Sequence, residues 1–120
     1  MSNQKELFCY LRVSTKVQEE EGNSIENQRF LGKRVSKKLG MKYVEMNEGG
    51  LSSMSSNRTK FMELKEGINI GRVKNIWYYS RSRWSRNTIE DLLMKQNYFI
   101  PHKVTVFEGE NGSKRDFTDP

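Results

Sequence analysis

A hydroxyl and a guanidinium two residues apart, Ser14 and Arg12 in the stretch Tyr10-Leu11-Arg12-Val13-Ser14-Thr15, are the first groups along the chain whose chemistry could be joined. Downstream stand Arg58, Arg81, Arg83 and Arg86. A serine hydroxyl is a weak nucleophile at neutral pH. It needs a base, or a strongly cationic setting that favours the alkoxide and steadies the charge developing on the group it attacks. The single histidine, His102, follows Pro101 at the mouth of a later predicted strand, and no serine sits in a G-x-S-x-G elbow. Both features argue against acyl transfer by a Ser-His-Asp set. Metal-dependent nuclease chemistry uses clustered carboxylates, whereas the acidic residues here form the run Glu19-Glu20-Glu21 or are scattered over predicted helix faces, so neither a metal nor another cofactor is expected. Attack on a phosphate remains, with arginines supplying the electrostatics that magnesium supplies elsewhere. Taken alone, Ser14 reads as a turn or cap residue after a strand; its weight comes from the arginines.

The charge is unevenly spread. Of the net +6, residues 1–57 hold nine Lys/Arg against seven Asp/Glu, residues 58–86 hold eight against two, and residues 87–120 hold four against six. A basic run is commonly a solvated face. Arginine at the close spacing Arg81, Arg83, Arg86 says more, because the planar guanidinium fork grips phosphate oxygens in pairs. A polyanion is the expected partner.

At 120 residues and 34% hydrophobic content, one domain with a real core is expected. No run approaches the roughly 20 apolar residues of a membrane span, and no signal-peptide segment precedes the first strand, so an intracellular, cytoplasmic protein of a bacterial or mobile-element host is expected, with no membrane partner. The lone Cys9 excludes an internal disulfide and a cysteine-based zinc site, and it reads as a small buried thiol.

These residues need a scaffold. Leu7 to Val13 predicts a buried strand with Ser14 where strand becomes loop, and Thr15 to Gly22 is a loop. A helix follows, capped by Asn23 with Glu26 three residues on, bearing Leu31, Val35 and Leu39, and stopping at Gly40. Gln28 falls on the same stripe, so it is either satisfied structurally or part of a site. Met41 to Met46 predicts a second strand, and Asn47 to Asn57 a mobile loop with no P-loop glycine pattern. Arg58 opens a second helix with a Phe61, Leu64, Ile68 stripe, ending near Gly67 to Gly71. Val73 to Tyr79 is continuous enough to be buried on both faces, as at the centre of a parallel sheet. Asn87, with Glu90 three residues on, caps a helix bearing Ile89, Leu92, Leu93 and Gln96. Lys103 to Phe107 predicts a fourth strand, and Gly109 to Pro120 an irregular polar tail. Alternating strands and helices imply right-handed βαβ units, in which ligands bind beyond the carboxyl ends of the strands. That edge would receive Ser14 after the first strand and Arg81 to Arg86 after the third.

In this order and spacing the residues resemble the serine recombinases of the resolvase/invertase type, over about residues 5 to 120. Tyr10-Leu11-Arg12-Val13-Ser14-Thr15 resembles that family's nucleophile motif, Ser24-Ile25-Glu26-Asn27-Gln28 its next helix start, Asn57-Arg58 its Asp/Asn-Arg step, and Ser82-Arg83-Trp84-Ser85-Arg86-Asn87-Thr88 its arginine motif. The resemblance implies an α/β fold, a resolvase-like three-layer sandwich with a mostly parallel sheet of four to five strands and helices on both faces. It also implies that Ser14 attacks a DNA phosphodiester to give a 5′ phosphoserine link and a free 3′ hydroxyl. Arg12, Arg58, Arg83 and Arg86 would hold the scissile phosphate and Gln28 would help to place it, with strand exchange in a tetramer and no ATP or metal. Ser82 stands where many members carry aspartate, a pattern more like the large serine recombinase and transposase-like branches. Members continue into a long interface helix and a DNA-binding domain, so residues 1–120 are expected to be an isolated catalytic domain. Such a piece is expected to bind DNA weakly, with strong salt sensitivity and little sequence choice. Its phosphate site is expected to be scattered, with Arg58 pointing away.

Two other readings compete. One is a non-catalytic nucleic-acid-binding or assembly module that uses the basic segment 58–86. The other is an unrelated α/β hydrolase or nucleotide-binding domain, disfavoured by the missing elbow, P-loop and G-x-G-x-x-G.

Overall fold

Strand β1, Glu6–Ser14, organises the molecule in the computed structural model, which describes residues 5–14, 24–51, 58–84 and 87–117, the side chains of 13, 14, 50, 51, 82 and 83 excepted. Its apolar run Leu7 to Leu11 is buried on both sides. Leu7, Cys9 and Leu11 meet Leu31 and Val35 of helix α1, Ile25–Leu39, together with Trp77 and Phe107. Phe8 and Tyr10 meet Phe61, Leu64 and Ile68 of α2, Thr59–Asn69, with Trp84, Met94 and Phe99 beyond them. The alternation of a strand thus splits one apolar run between two cores. A sheet with a helical layer on each face follows, a three-layer α/β sandwich.

Five strands make the sheet, in the order β2-β1-β3-β4-β5. Strands β2, Lys42–Leu51, β3, Asn75–Tyr78, and β4, Thr105–Glu108, run parallel to β1. The two-residue β5, Ser113–Lys114, pairs antiparallel with β4. The tail is therefore not irregular throughout: residues 109–112 turn it back along β4, and the Arg115 N–H reaches the Val106 carbonyl at 2.7 Å. Strand β3 sits in the middle with all four residues buried, as its continuous apolar pattern predicts.

Local signals set most helix ends. Gly40 closes α1 in the left-handed conformation. The cap at the other end is Ser24 rather than Asn23. Its hydroxyl accepts from the otherwise unmet Asn27 N–H at 3.2 Å, and its carbonyl accepts the first helical hydrogen bond, from the Gln28 N–H at 2.9 Å, one residue later than predicted. Strand β2 is longer than Met41 to Met46. It continues through Asn47 to Leu51, residues expected in a mobile loop, by means of a bulge: Leu11 pairs with Asn47 but Arg12 with Gly49, leaving Glu48 as the extra residue. Gly49 sits at φ 75°, which the missing side chain permits. The rest of that predicted loop, residues 52–57, and the predicted loop Thr15 to Gly22 lie outside the described residues.

Beyond β3, a four-residue helix α3, Arg81–Trp84, precedes α4, Thr88–Met94, whose cap is Asn87 accepting from the Glu90 N–H at 2.8 Å, as predicted. Helix α4 runs on into a π-helical turn, Lys95–Phe99. A π turn stacks residues five apart, so Met94 and Phe99 both point inward, while Ile89, Leu92 and Leu93 are exposed.

Candidate active site

Of the predicted site residues, Arg12, Ser14, Arg58 and Arg83 lie at the carboxyl ends of β1, β2 and β3 or on the connections that follow them. Tyr10 and Tyr78 are register partners on β1 and β3. Two and four residues beyond Tyr10 lie Arg12 and Ser14, which ends β1; three residues beyond Tyr78, α3 begins with Arg81 and carries Ser82 and Arg83. Arg58 occupies the N-cap position of α2, in the connection that follows β2. Arg86 lies outside the described residues. The crevice between β1 and β3 is also where the chain order reverses, β2 lying to one side of β1 and β3 to the other, the usual ligand position of open α/β sheets.

Gln28 answers the question its place on the core stripe raises. It is fully buried, its Nε2 donates to the Arg12 carbonyl at 3.0 Å and its Oε1 accepts from the Arg12 N–H at 3.3 Å. The amide thereby fixes the backbone of Arg12 beside the bulge, two residues before Ser14.

Arg58 turns inward. The residue is 6% exposed, and its guanidinium lies 3.8 Å from the Phe61 ring centre. Nη1 donates to Glu90 Oε1 at 2.7 Å, and Nη2 donates to the Tyr10 hydroxyl at 3.4 Å and to the Trp84 carbonyl. Because this N-cap residue offers no capping side chain, Glu48 does the work: the bulge presents its carboxylate to the N–H groups of Lys60 and Phe61, both at 3.0 Å. Tyr10 donates its hydroxyl to the same carboxylate at 2.9 Å. Burial pushes the Tyr10 phenol above its ordinary range, although the neighbouring Arg58 charge opposes this, so it remains a protonated donor. Trp84, fully buried, closes the cluster over Tyr10, Phe61, Tyr78 and Phe99 with ring centres 4.8 to 5.6 Å apart.

Sequence patterns do not single out Glu48, and they give Tyr10 only as a member of the first motif and Glu90 only as a residue at a helix start. They also miss a second buried cation. Arg115, 8% exposed, forks onto Asp91 at 2.9 and 2.5 Å and donates to the Tyr78 hydroxyl at 2.9 Å. Burial works against its charge, but the Asp91 hydrogen bonds and the Tyr78 and Asp91 electrostatics outweigh it and raise its pKa. The only available signal is an arginine in a tail otherwise read as polar coil.

His102 lies in the turn before β4, at the amino edge of the sheet, opposite the end of β1 that carries Ser14. A cavity of about 570 Å³, lined by residues including Phe99, Val104 and Phe117, also lies away from the Ser14 edge. Among the described residues no helix is long and apolar enough to cross a membrane.

A mostly parallel sheet in this order, with a serine ending β1 and arginines on the connections after β2 and β3, defines a class: the catalytic domain of a site-specific recombinase of the serine type. The chain belongs to the resolvase family, whose N-terminal domain model, described as "Resolvase, N terminal domain", matches residues 7–120. Two solved structures share the fold. The N-terminal catalytic domain of TP901-1 integrase is 24% identical with a TM-score of 0.73, over 92% of this chain and 82% of that chain. A resolvase family site-specific recombinase from Streptococcus pneumoniae is 28% identical with a TM-score of 0.74, over 92% of this chain and 76% of that one. No curated protein matches the chain.

Proposed function

We propose that this domain cleaves and rejoins DNA through Ser14. The Ser14 oxygen forms a bond to phosphorus as the bond from phosphorus to the 3′ oxygen breaks. The serine proton is lost to solvent and the departing 3′ oxygen takes one up, leaving a 5′ phosphoserine and a 3′ hydroxyl. One phosphoester bond replaces another, so no ATP is consumed, and attack of a new 3′ hydroxyl reverses the step after strand exchange. Arg12, Arg83 and Arg86, joined by Arg58, neutralise the phosphate, while Gln28 positions it indirectly through the backbone of Arg12. The observation that carries this is the register of β1 with β3, which supports bringing the Ser14 end of one strand to the arginine segment that follows the other.

The partner is double-stranded DNA, in the cytoplasm of the host cell. Self-association to dimer and tetramer is supported by the exposed apolar Ile89, Leu92 and Leu93 on α4. Residues 1–120 form a single catalytic domain. The test uses the full-length protein and a nicked suicide duplex carrying the site recovered by binding selection from a random-sequence pool. A covalent protein–DNA adduct that survives denaturation and disappears in Ser14→Ala is expected. An unchanged yield in Ser14→Ala, or no adduct under conditions in which the protein forms tetramers, would leave the non-catalytic module built on segment 58–86 as the better account.

A further inference from the structure

We infer that Glu90 holds Arg58 in a resting position from which it must be released before it can bind the scissile phosphate. This rests on the proposed role of Arg58 in the site, and it concerns how that role is regulated. The geometry leaves little for a phosphate to grip. With its side chain 7% exposed, Arg58 has Nη1 committed to Glu90, Nη2 to Tyr10 and the Trp84 carbonyl, and its flat face on Phe61.

The packing also carries a deficit in one place. Among the described residues the buried side-chain donors with no hydrogen-bond partner are Arg58 Nε and the Trp84 indole Nε1, and both belong to this cluster. Buried donors of that kind disfavour the arrangement that contains them. The Glu90 carboxylate offsets this deficit, because a buried guanidinium needs an opposite charge.

The three ties lead to different parts of the site. Tyr10 is on β1, two residues before Arg12; Trp84 ends α3, next to Arg83; Glu90 is in the first turn of α4, four residues after Arg86. Displacing α3 toward a bound phosphate removes the Trp84 carbonyl from Nη2. Among the described residues Glu90 is then the carboxylate still hydrogen-bonded to Arg58, and it competes with the phosphate for it. Loss of the carboxylate therefore favours the outward, phosphate-binding position.

The test uses full-length Glu90→Gln and Glu90→Asp on the same suicide duplex, with the initial rate of adduct formation as readout. Gln removes the charge at the same length; Asp keeps it but is one methylene too short. Both are expected to form adduct faster than the parent, Gln by roughly tenfold, the effect of one charge-assisted hydrogen bond. Adding Arg58→Ala is expected to abolish the gain. An unchanged or slower rate in both variants overturns the latch, as does a gain that survives Arg58→Ala. Loss of cooperative thermal unfolding in both makes the pair a purely structural tie and also overturns it. If Ser14→Ala fails to remove the adduct, the cleavage reaction itself is wrong; if Ser14 is required and the Glu90 variants are not faster, only the latch fails.

Discussion

A polar group inside a fold must be matched, and Gln28, buried close to the site, obeys that rule. Gln28 is matched by the backbone of Arg12. Gln28→Ala removes both hydrogen bonds and strips side-chain partners from a backbone N–H and carbonyl, so it is expected to lower stability by roughly 2–4 kcal/mol, read as a shift in urea midpoint at unchanged slope. A change under about 1 kcal/mol would mean that water replaces the amide without cost. Cys9 illustrates the apolar counterpart. It is fully buried, and burial pushes its thiol up to about 12, with a Ser36 contact only partly opposing this. The thiolate is the reactive form, so iodoacetamide at pH 8 is expected to leave the folded protein unmodified and to label it fully in denaturant.

At the scale of elements, α1 is tied to β2 by a fork: Arg29 donates to both carboxylate oxygens of Glu45, at 2.7 and 2.9 Å. The Arg29 hydrogen bonds, aided by Tyr43 and Asn47 and opposed by desolvation, bring the Glu45 carboxyl down to about 2. A folded pKa below the unfolded one contributes stability that is complete above the unfolded value, about 4.5, and is lost as pH falls through 2. Melting temperatures of the parent and Glu45→Gln are therefore expected to differ at pH 7, to converge between pH 4.5 and 2, and to coincide below that. A gap that persists at pH 1.5 would assign the effect to packing. Helix α2 meets the segment just before β3 through a glycine. A Cβ on Gly67 would lie 2.5 Å from Val73 Cγ2, a branched buried side chain with nowhere to go, so Gly67→Ala is expected to cost about 1–3 kcal/mol despite alanine's better helix propensity.

For the whole molecule, the sheet has cationic side chains at both ends of its strands. At the carboxyl edge lie Arg12 and, on the connections after β2 and β3, Arg58, Arg81 and Arg83. At the amino edge, Lys5, Arg72, Lys74 and Lys103 surround a cavity of about 450 Å³ with Glu6 as the carboxylate among them, Arg72 being paired to it at 2.9 Å. The helices α1 and α2 end toward that edge, where cations complement helix carbonyl ends. Salt-dependent DNA binding by the full-length protein separates the two. Arg83→Gln with Arg86→Gln is expected to flatten the log Kd against log salt slope by about one for each phosphate no longer neutralised, while Lys74→Gln with Lys103→Gln leaves it unchanged. Equal effects would mean that DNA wraps both edges.

Much of the fold was legible in the chain because it depends on neighbours a few residues apart. The stripe Leu31, Val35, the stop at Gly40, the Asn87 cap and the apolar run of β3 all follow from helix and strand periodicity and from unmet N–H and C=O groups at element ends. The order Arg12, Ser14, Gln28, Arg58, Arg83 pointed to the family on the same terms. Other features required segments far apart to meet. The bulge that presents Glu48 to α2, the reversal of the tail into β5 and the Arg115–Asp91 fork depend on pairings set by sheet order. Arg58 is the sharpest case. Its position at a helix start could be read from the sequence. That its guanidinium lies inside, shared by Glu90 and the Trp84 carbonyl, is decided only where β1, α2, α3 and α4 converge, because a long side chain takes the partners that the topology brings within its reach.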